Sequence, residues 1–160
     1  MSSKFVLNET SYFGKGSRLE LTGEIAKRGF KKVFLVSDKA LVEAGVTAKV
    51  EEILKNSNIP YELYSEIKPN PTISNVKKGL KVANKYHCDY VIAVGGGSVI
   101  DCAKAIAIIV KNPEFNDVKS LVGVADTKER CLPIIALPTT AGTAAEVTIN
   151  YVITDEEAVV

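Results

Sequence analysis

The stretch "DYVIAVGGGSVIDCAKAIAIIV" (residues 89–110) decides the fold class of this chain. Residues 90–94 form an unbroken apolar run of strand length, which is typical of a strand covered on both faces. Residues 98–110 are largely apolar over the length of a helix, and three glycines separate the two segments. Fixing a glycine costs roughly 0.5–1 kcal/mol relative to alanine. Three in a row therefore indicate a turn or a close contact that requires them.

The same succession of strand, turn and helix recurs along the chain. Three more short runs are predicted strands: "KKVFLVSD" (31–38), "YELYS" (61–65) and "PIIALP" (133–138). Helical patterns separate them, and this alternation predicts parallel strands joined by right-handed helical crossovers in an open α/β sheet. The segments "KFVLN" (4–8) and "SYFG" (11–14) predict a small additional β element at the N-terminus.

Capping residues predict where several helices begin. Ser17 and Glu20 have the spacing of a capping box ahead of a helix that reaches about Arg28. Thr47 and Thr72 are each expected to cap a further helix. Apolar residues after Thr72 fall on one helical face and lysines fall on the other, as in a helix packed against a sheet.

Composition and charge exclude several classes of protein. The 160 residues fit one domain, and 20 basic against 19 acidic side chains argue against a nucleic-acid partner. The sequence contains neither a signal-peptide pattern nor an apolar run of membrane-spanning length, so we expect a soluble, cytoplasmic protein without membrane contact. Its three cysteines are odd in number and widely spaced, and we expect buried, inert thiols.

The glycine turn is a candidate anion site. It lies at the carboxyl end of a predicted parallel strand, the edge where open α/β sheets bind ligands. Gly96 and Gly97 let the backbone approach a ligand closely, while Ser98 opens the helix with Asp101 at capping-box spacing. Free amides of that first turn favour a phosphate group. The alternative is a tight turn without a ligand, since neither G-x-G-x-x-G nor a Walker lysine is present.

Two further strand ends carry polar groups. Pro138 ends one strand, and the following loop offers the hydroxyl groups of Thr139, Thr140 and Thr143. Two such loops on one sheet edge suit an extended ligand with a diphosphate. Asp38 ends another strand, where its carboxylate could accept hydrogen bonds from a ribose diol or only cap the next helix.

These segments resemble the iron-containing (group III) alcohol dehydrogenases. The resemblance covers about residues 5–157, and its most specific parts are "GGGSVID" (95–101) and "PTTAGTAAE" (138–146). It implies a Rossmann-like, mostly parallel sheet with helices on both faces that binds NAD. The resemblance further implies roles for the following residues: Gly96, Gly97 and Ser98 on the pyrophosphate, Thr139, Thr140 and Thr143 on the other side of the dinucleotide, Asp38 in the preference for NAD over NADP, and Asn70 and Asn150 near the nicotinamide and substrate. Asp101 completes the predicted set of cofactor-binding residues.

The resemblance also implies what this chain does not contain. In the family, one aspartate and three histidines of a helical C-terminal domain hold the divalent metal, Fe²⁺ or Zn²⁺. This chain has one histidine, His87, and cannot assemble such a site or a Ser-His-Asp triad with a spare base. Residues 1–160 are therefore expected to be the dinucleotide-binding domain of a two-domain enzyme, inactive alone, without metal ligands or catalytic residues of its own.

In the intact parent we expect hydride transfer between NAD(H) and a short alcohol or aldehyde, such as 1,2-propanediol and lactaldehyde, in a homodimer by analogy. Two alternatives remain open. Glycerol dehydrogenase and dehydroquinate synthase share the GGGS-x-x-D turn, although the "PTTAGTAAEVT" loop (138–148) argues against both. A non-catalytic nucleotide-binding or receiver-like module would use Asp38 as an effector site, although receivers usually need several acids there.

Overall fold

The computed structural model describes residues 8–158. Four parallel strands form one sheet in the order β2-β1-β3-β4. Their bounds are β1 Val33–Asp38, β2 Tyr61–Ile67, β3 Tyr90–Gly95 and β4 Ile134–Pro138. Val33 pairs with Tyr61 on one side and Tyr90 on the other, so β1 and β3 are the central strands. All four predicted strands and the predicted open, parallel sheet are confirmed.

Helices cover both faces of this sheet, as predicted. Their bounds are α1 Leu21–Arg28, α2 Lys39–Glu43, α3 Ala48–Asn56, α4 Ile73–Tyr86 and α5 Gly97–Lys111. One hydrophobic cluster joins α4 and α5 to side chains such as Phe34 and Val91, and a second joins α1 and α3 to their strand neighbours Leu35 and Ile92. Successive strand residues point to opposite faces, so the apolar run of a central strand serves both clusters.

Close packing of α4 on α5 depends on one glycine. A Cβ atom added at Gly79 would lie 2.5 Å from Cδ1 of Ile106 and 2.8 Å from Cε1 of Tyr64. All three residues are buried, so this contact has no room to relax toward solvent.

Helix starts agree with the sequence patterns only in part. Thr72 caps α4 in a reciprocal capping box with Asn75, as expected. The predicted box of Ser17 and Glu20 is wrong, because Gly16 begins a 3₁₀ turn there at a left-handed φ of 88° and Glu20 directly precedes α1. Thr47 does precede α3, but its buried hydroxyl lies 3.1 Å from Ser37 Oγ and makes no capping bond.

The predicted N-terminal β element is not found where the structure can test it. Residues 11–14 form no strand, and all four are exposed, with Phe13 at 93%. The side chains of this segment therefore do not pack against a neighbouring strand. Tyr12 instead donates a hydrogen bond to Glu24 of α1 at 2.8 Å. Residues 4–7 of the predicted pair lie outside the described residues.

Within residues 8–158, no helix is long and apolar enough to cross a membrane.

Strand order creates a crevice above the centre of the sheet. After β1 the chain runs through α3 on one face, whereas after β3 it runs through α5 on the other. The two connections therefore diverge at the carboxyl ends of β1 and β3, the position where ligands bind in open α/β sheets. Just below this point, Ser37 Oγ donates to the carbonyl oxygen of Val94 at 2.8 Å and holds the two strands together.

Candidate dinucleotide-binding site

The glycine turn after β3 is in contact with the threonine loop after β4. Thr139 N donates to the Gly95 carbonyl at 3.0 Å, which continues the pairing of the two strands into the loops. A Cβ atom at Gly96 would lie 2.8 Å from Thr140 Oγ1, and one at Gly97 would lie 3.3 Å from Thr143 Cβ. The structure thus brings the two predicted loops together. They lie so close that a side chain at position 96 or 97 would crowd the threonines of the second loop.

The first turn of α5 faces this cleft with few competitors for its amides. Gly96 is the N-cap in an extended conformation, no side-chain capping bond forms there among residues 8–158, and the turn contains no acidic residue. Gly96 O already accepts from the amides of Val99 and Ile100, leaving the earlier amides of the turn for a ligand. Such a helix end attracts an anionic group through its N–H groups and its dipole.

The predicted capping box of Ser98 and Asp101 is wrong. Ser98 Oγ accepts a hydrogen bond from the amide of Asn70 at 3.3 Å, and Asp101 Oδ2 accepts one from the amide of Val152 at 3.0 Å. Both side chains have the spacing of a local cap, but each is engaged by a distant segment. Ser98 therefore links the turn to the loop after β2, and Asp101 links it to the segment around Val152.

Asn70 reaches the cleft from the loop between β2 and α4. Its backbone is left-handed, with φ at 54°, and its side chain is exposed. Asparagine is one of the few residues that adopt this conformation readily. The bond from its amide to Ser98 is the contact that brings Asn70 to the glycine turn.

Asp38 ends β1 on the other side of the crevice. Its Oδ1 accepts a hydrogen bond from the amide of Leu41 at 2.9 Å, so it is the N-cap of α2. The predicted cap by Asp38 is therefore confirmed. This bond uses one carboxylate oxygen of a half-buried side chain, and contact of the same carboxylate with a ribose stays a prediction.

Asn150 is attached to the site through Lys104 of α5. Lys104 Nζ donates to the Asn150 carbonyl at 2.8 Å and to Thr148 Oγ1 at 3.2 Å, and it lies 3.6 Å from Asp101 Oδ1. Burial lowers the pKa of Lys104, while Asp101 opposes that shift. Asp101 lies three residues before Lys104 on the same helix, so this pairing is local. The bonds of Lys104 to a segment more than 40 residues away leave no local pattern.

Other reactive side chains do not converge on the cleft. Within residues 8–158, no group of three or more His, Cys, Asp or Glu side chains could hold a metal ion. Cys88 and Cys102 are buried, and burial raises their pKa values to about 11 and about 12. Cys131 is exposed, so the expectation that all three thiols are buried is wrong for this residue. Cys131 precedes β4 at the amino ends of the strands, on the side of the sheet away from the cleft.

Comparisons with known proteins agree with this geometry. Over 157 residues the chain is 52% identical to lactaldehyde reductase of Escherichia coli K12, covering 98% of this chain and 41% of that protein. Among solved structures, alcohol dehydrogenase from Oenococcus oeni superposes with a TM-score of 0.91 at 35% identity, over 98% of this chain and 41% of that one. Sulfoacetaldehyde reductase from Bifidobacterium kashiwanohense, in complex with NAD⁺, gives 0.86 at 30% identity with the same coverage.

The chain thus spans about two fifths of the length of these relatives. The family model described as iron-containing alcohol dehydrogenase matches residues 8–159, nearly the whole sequence. The glycine turn and the threonine loop, from which the resemblance was first inferred, both lie within that match. This chain belongs to the iron-containing alcohol dehydrogenase family.

Proposed function

We propose that this chain is the dinucleotide-binding half of an NAD-dependent alcohol dehydrogenase of the lactaldehyde reductase type. The observation that supports this most directly is the contact between Gly96 and Thr140, where a Cβ atom would come within 2.8 Å of the threonine hydroxyl. This contact brings the glycine turn and the threonine loop side by side, next to the switch point between β1 and β3, where open parallel sheets bind ligands. A relative of the same fold is known in complex with NAD⁺.

In this proposal the pyrophosphate lies against the first turn of α5. The amides of Gly97 and Ser98 donate to its oxygens, and the threonine loop lines the opposite side. Asp38 accepts hydrogen bonds from the adenosine ribose and disfavours a 2′-phosphate by charge repulsion. Asn70 and Asn150 lie toward the nicotinamide end. The bound cofactor supplies the hydride-accepting ring, while the chain binds it, orients it and limits its contact with water.

The residues present do not fit a metal site, because no suitable cluster forms within residues 8–158. We therefore propose that the family's Fe²⁺ or Zn²⁺ is held by side chains outside these residues, and that this chain does not polarise the substrate oxygen. By itself the chain is expected to bind the cofactor and to show no turnover.

The substrate and the assembly are part of the proposal. The similarity to lactaldehyde reductase supports a short alcohol or aldehyde, such as 1,2-propanediol or lactaldehyde, as the substrate of the complete enzyme. By analogy with the family we propose a homodimer in the cytoplasm, acting on a small molecule without nucleic acid or membrane as a partner. The near-neutral charge of the chain supports the absence of a nucleic-acid partner.

Isothermal titration calorimetry of the purified chain tests this proposal. NADH should bind, and ADP-ribose should compete for the same site because it retains the diphosphate and both riboses. ATP and acetyl phosphate separate the alternative, since a receiver-like module would respond to a phosphoryl donor and not to NADH. Absence of heat with NADH, or oxidation of 1,2-propanediol by the verified 160-residue chain, would contradict the assignment.

A further inference from the structure

The segment that carries Asn150 has little support from regular structure. Residues 148–152 form neither helix nor strand, and Ile149 and Val152 are 75% and 74% exposed. Tyr151 packs its half-buried ring at the margin of the α4–α5 cluster. An exposed, irregular segment of this kind has high conformational freedom unless polar contacts restrict it.

Two side chains of α5 supply such contacts. Lys104 Nζ donates to the carbonyl oxygen of Asn150 at 2.8 Å, and Asp101 Oδ2 accepts from the amide of Val152 at 3.0 Å. The two side chains also pair with each other at 3.6 Å and are only 13% and 17% exposed. Each of these two bonds to the segment joins a charged side chain to a main-chain group, and charge-assisted hydrogen bonds are stronger than bonds between neutral groups.

The two backbone groups are those that a neighbouring strand would bind. In a parallel sheet, one residue of a strand accepts from an amide and donates to a carbonyl that lie two positions apart on its neighbour. Asn150 O and Val152 N have that spacing, and the Asp101–Lys104 pair takes the place of the strand residue. A third bond, from Lys104 Nζ to Thr148 Oγ1 at 3.2 Å, extends the attachment to a residue two positions before Asn150.

We propose that Asp101 and Lys104 are positioning residues that hold residues 148–152 against α5 and thereby set the position of Asn150 toward the nicotinamide end of the cofactor. This inference rests on the proposed function, because it assigns a role within the same site. In this role the pair acts through the position of Asn150 and not by direct contact with the cofactor. It should therefore affect ligands that contain nicotinamide and leave those that lack it nearly unaffected.

The test compares NADH with ADP-ribose in Lys104→Met, using calorimetry and a thermal melt to establish folding. We expect NADH affinity to fall about fivefold to tenfold while ADP-ribose affinity stays within about twofold. Lys104→Arg retains a charged donor and should recover most of the NADH affinity. Lys111→Met, on an exposed lysine in the last turn of the same helix, is the matched control and should change neither affinity.

Coupling to Asn150 distinguishes positioning from a general loss of structure. If Lys104 acts through Asn150, the double variant Asn150→Ala, Lys104→Met should lose less NADH binding free energy than the sum of the losses in the two single variants. If the two residues act independently, the two losses of binding free energy should add. Amide hydrogen exchange of residues 148–152 should accelerate in Lys104→Met and also in Asp101→Asn, which tests the attachment without a ligand.

Each result decides a separate point. If the wild-type chain fails to bind NADH, the proposed function fails, and the assigned role fails with it. If the wild type binds NADH but Lys104→Met loses NADH and ADP-ribose equally, or loses neither, the positioning role alone is overturned. Unchanged exchange of residues 148–152 in both variants would overturn the attachment itself.

Discussion

Gly96→Ala is the perturbation that most directly separates cofactor binding from folding. The added methyl group would lie 2.8 Å from Thr140 Oγ1 and 3.4 Å from its Cβ, in the cleft between the two loops. Thr140 is exposed, so its side chain can rotate away, and the cost in unfolding free energy should stay below about 1 kcal/mol. The methyl group would still occupy the approach to the first amides of α5.

Gly79→Ala provides the opposite case. Its methyl group would meet Ile106 and Tyr64 at 2.5 and 2.8 Å between two packed helices, with no route to solvent. Overpacking of this kind costs roughly 1–3 kcal/mol of stability. Gly79 lies on α4, away from the cleft, so NADH affinity of the folded protein should stay at the wild-type value.

Urea denaturation and NADH titration of both variants complete the comparison. We expect Gly96→Ala to weaken NADH binding at least about tenfold, which corresponds to about 1.4 kcal/mol, with little change in the denaturation midpoint. Gly79→Ala should show the reverse pattern. Wild-type NADH affinity in Gly96→Ala would refute the argument that the backbone at this turn lies against the diphosphate.

Three further outcomes are expected. Asp38→Asn should keep the cap on α2, because asparagine is also a good N-cap, but should raise the ratio of NADPH to NADH affinity about tenfold; an unchanged ratio would exclude the ribose contact. A thiol reagent at pH 8 should modify one cysteine per folded chain, the exposed Cys131, and all three after unfolding, since Cys88 and Cys102 are buried and burial raises their pKa values to about 11 and about 12. Tyr90→Phe should leave stability equal or higher, because the buried Tyr90 hydroxyl finds no partner within residues 8–158; a loss above about 1 kcal/mol in urea would reveal one.

Strands and their connections could be predicted from the sequence because the signal is local. Each of the four strands is a short run rich in apolar or aromatic residues between polar turns, and each predicted run overlaps an observed strand. Helix starts were less predictable. Thr72 caps α4 as its spacing indicates, but Ser17 falls in a 3₁₀ turn that begins at Gly16, and the Thr47 hydroxyl faces Ser37 in the core.

The candidate site shows the same limit more sharply. Glycines and threonines predicted that two loops would meet, since the carboxyl ends of neighbouring parallel strands share one sheet edge. The partners of Ser98 and Asp101 could not be predicted, because Asn70 and Val152 are 28 and 51 residues away and contribute main-chain amides. Such amides are present at every residue except proline, so no side-chain pattern indicates which of them will bind.

Strand β4 has a consequence for handling the protein in solution. Among the described residues it pairs with β3 alone, and residues 134–137 are half-buried, so its outer edge presents unpaired main-chain groups. Pro133 and Pro138 stand at its two ends, and neither has an amide proton to extend a ladder. A second chain could add only a very short stretch of pairing there. Self-association through this edge should therefore be weak and reversible, and it should disappear on dilution and not progress to fibrils.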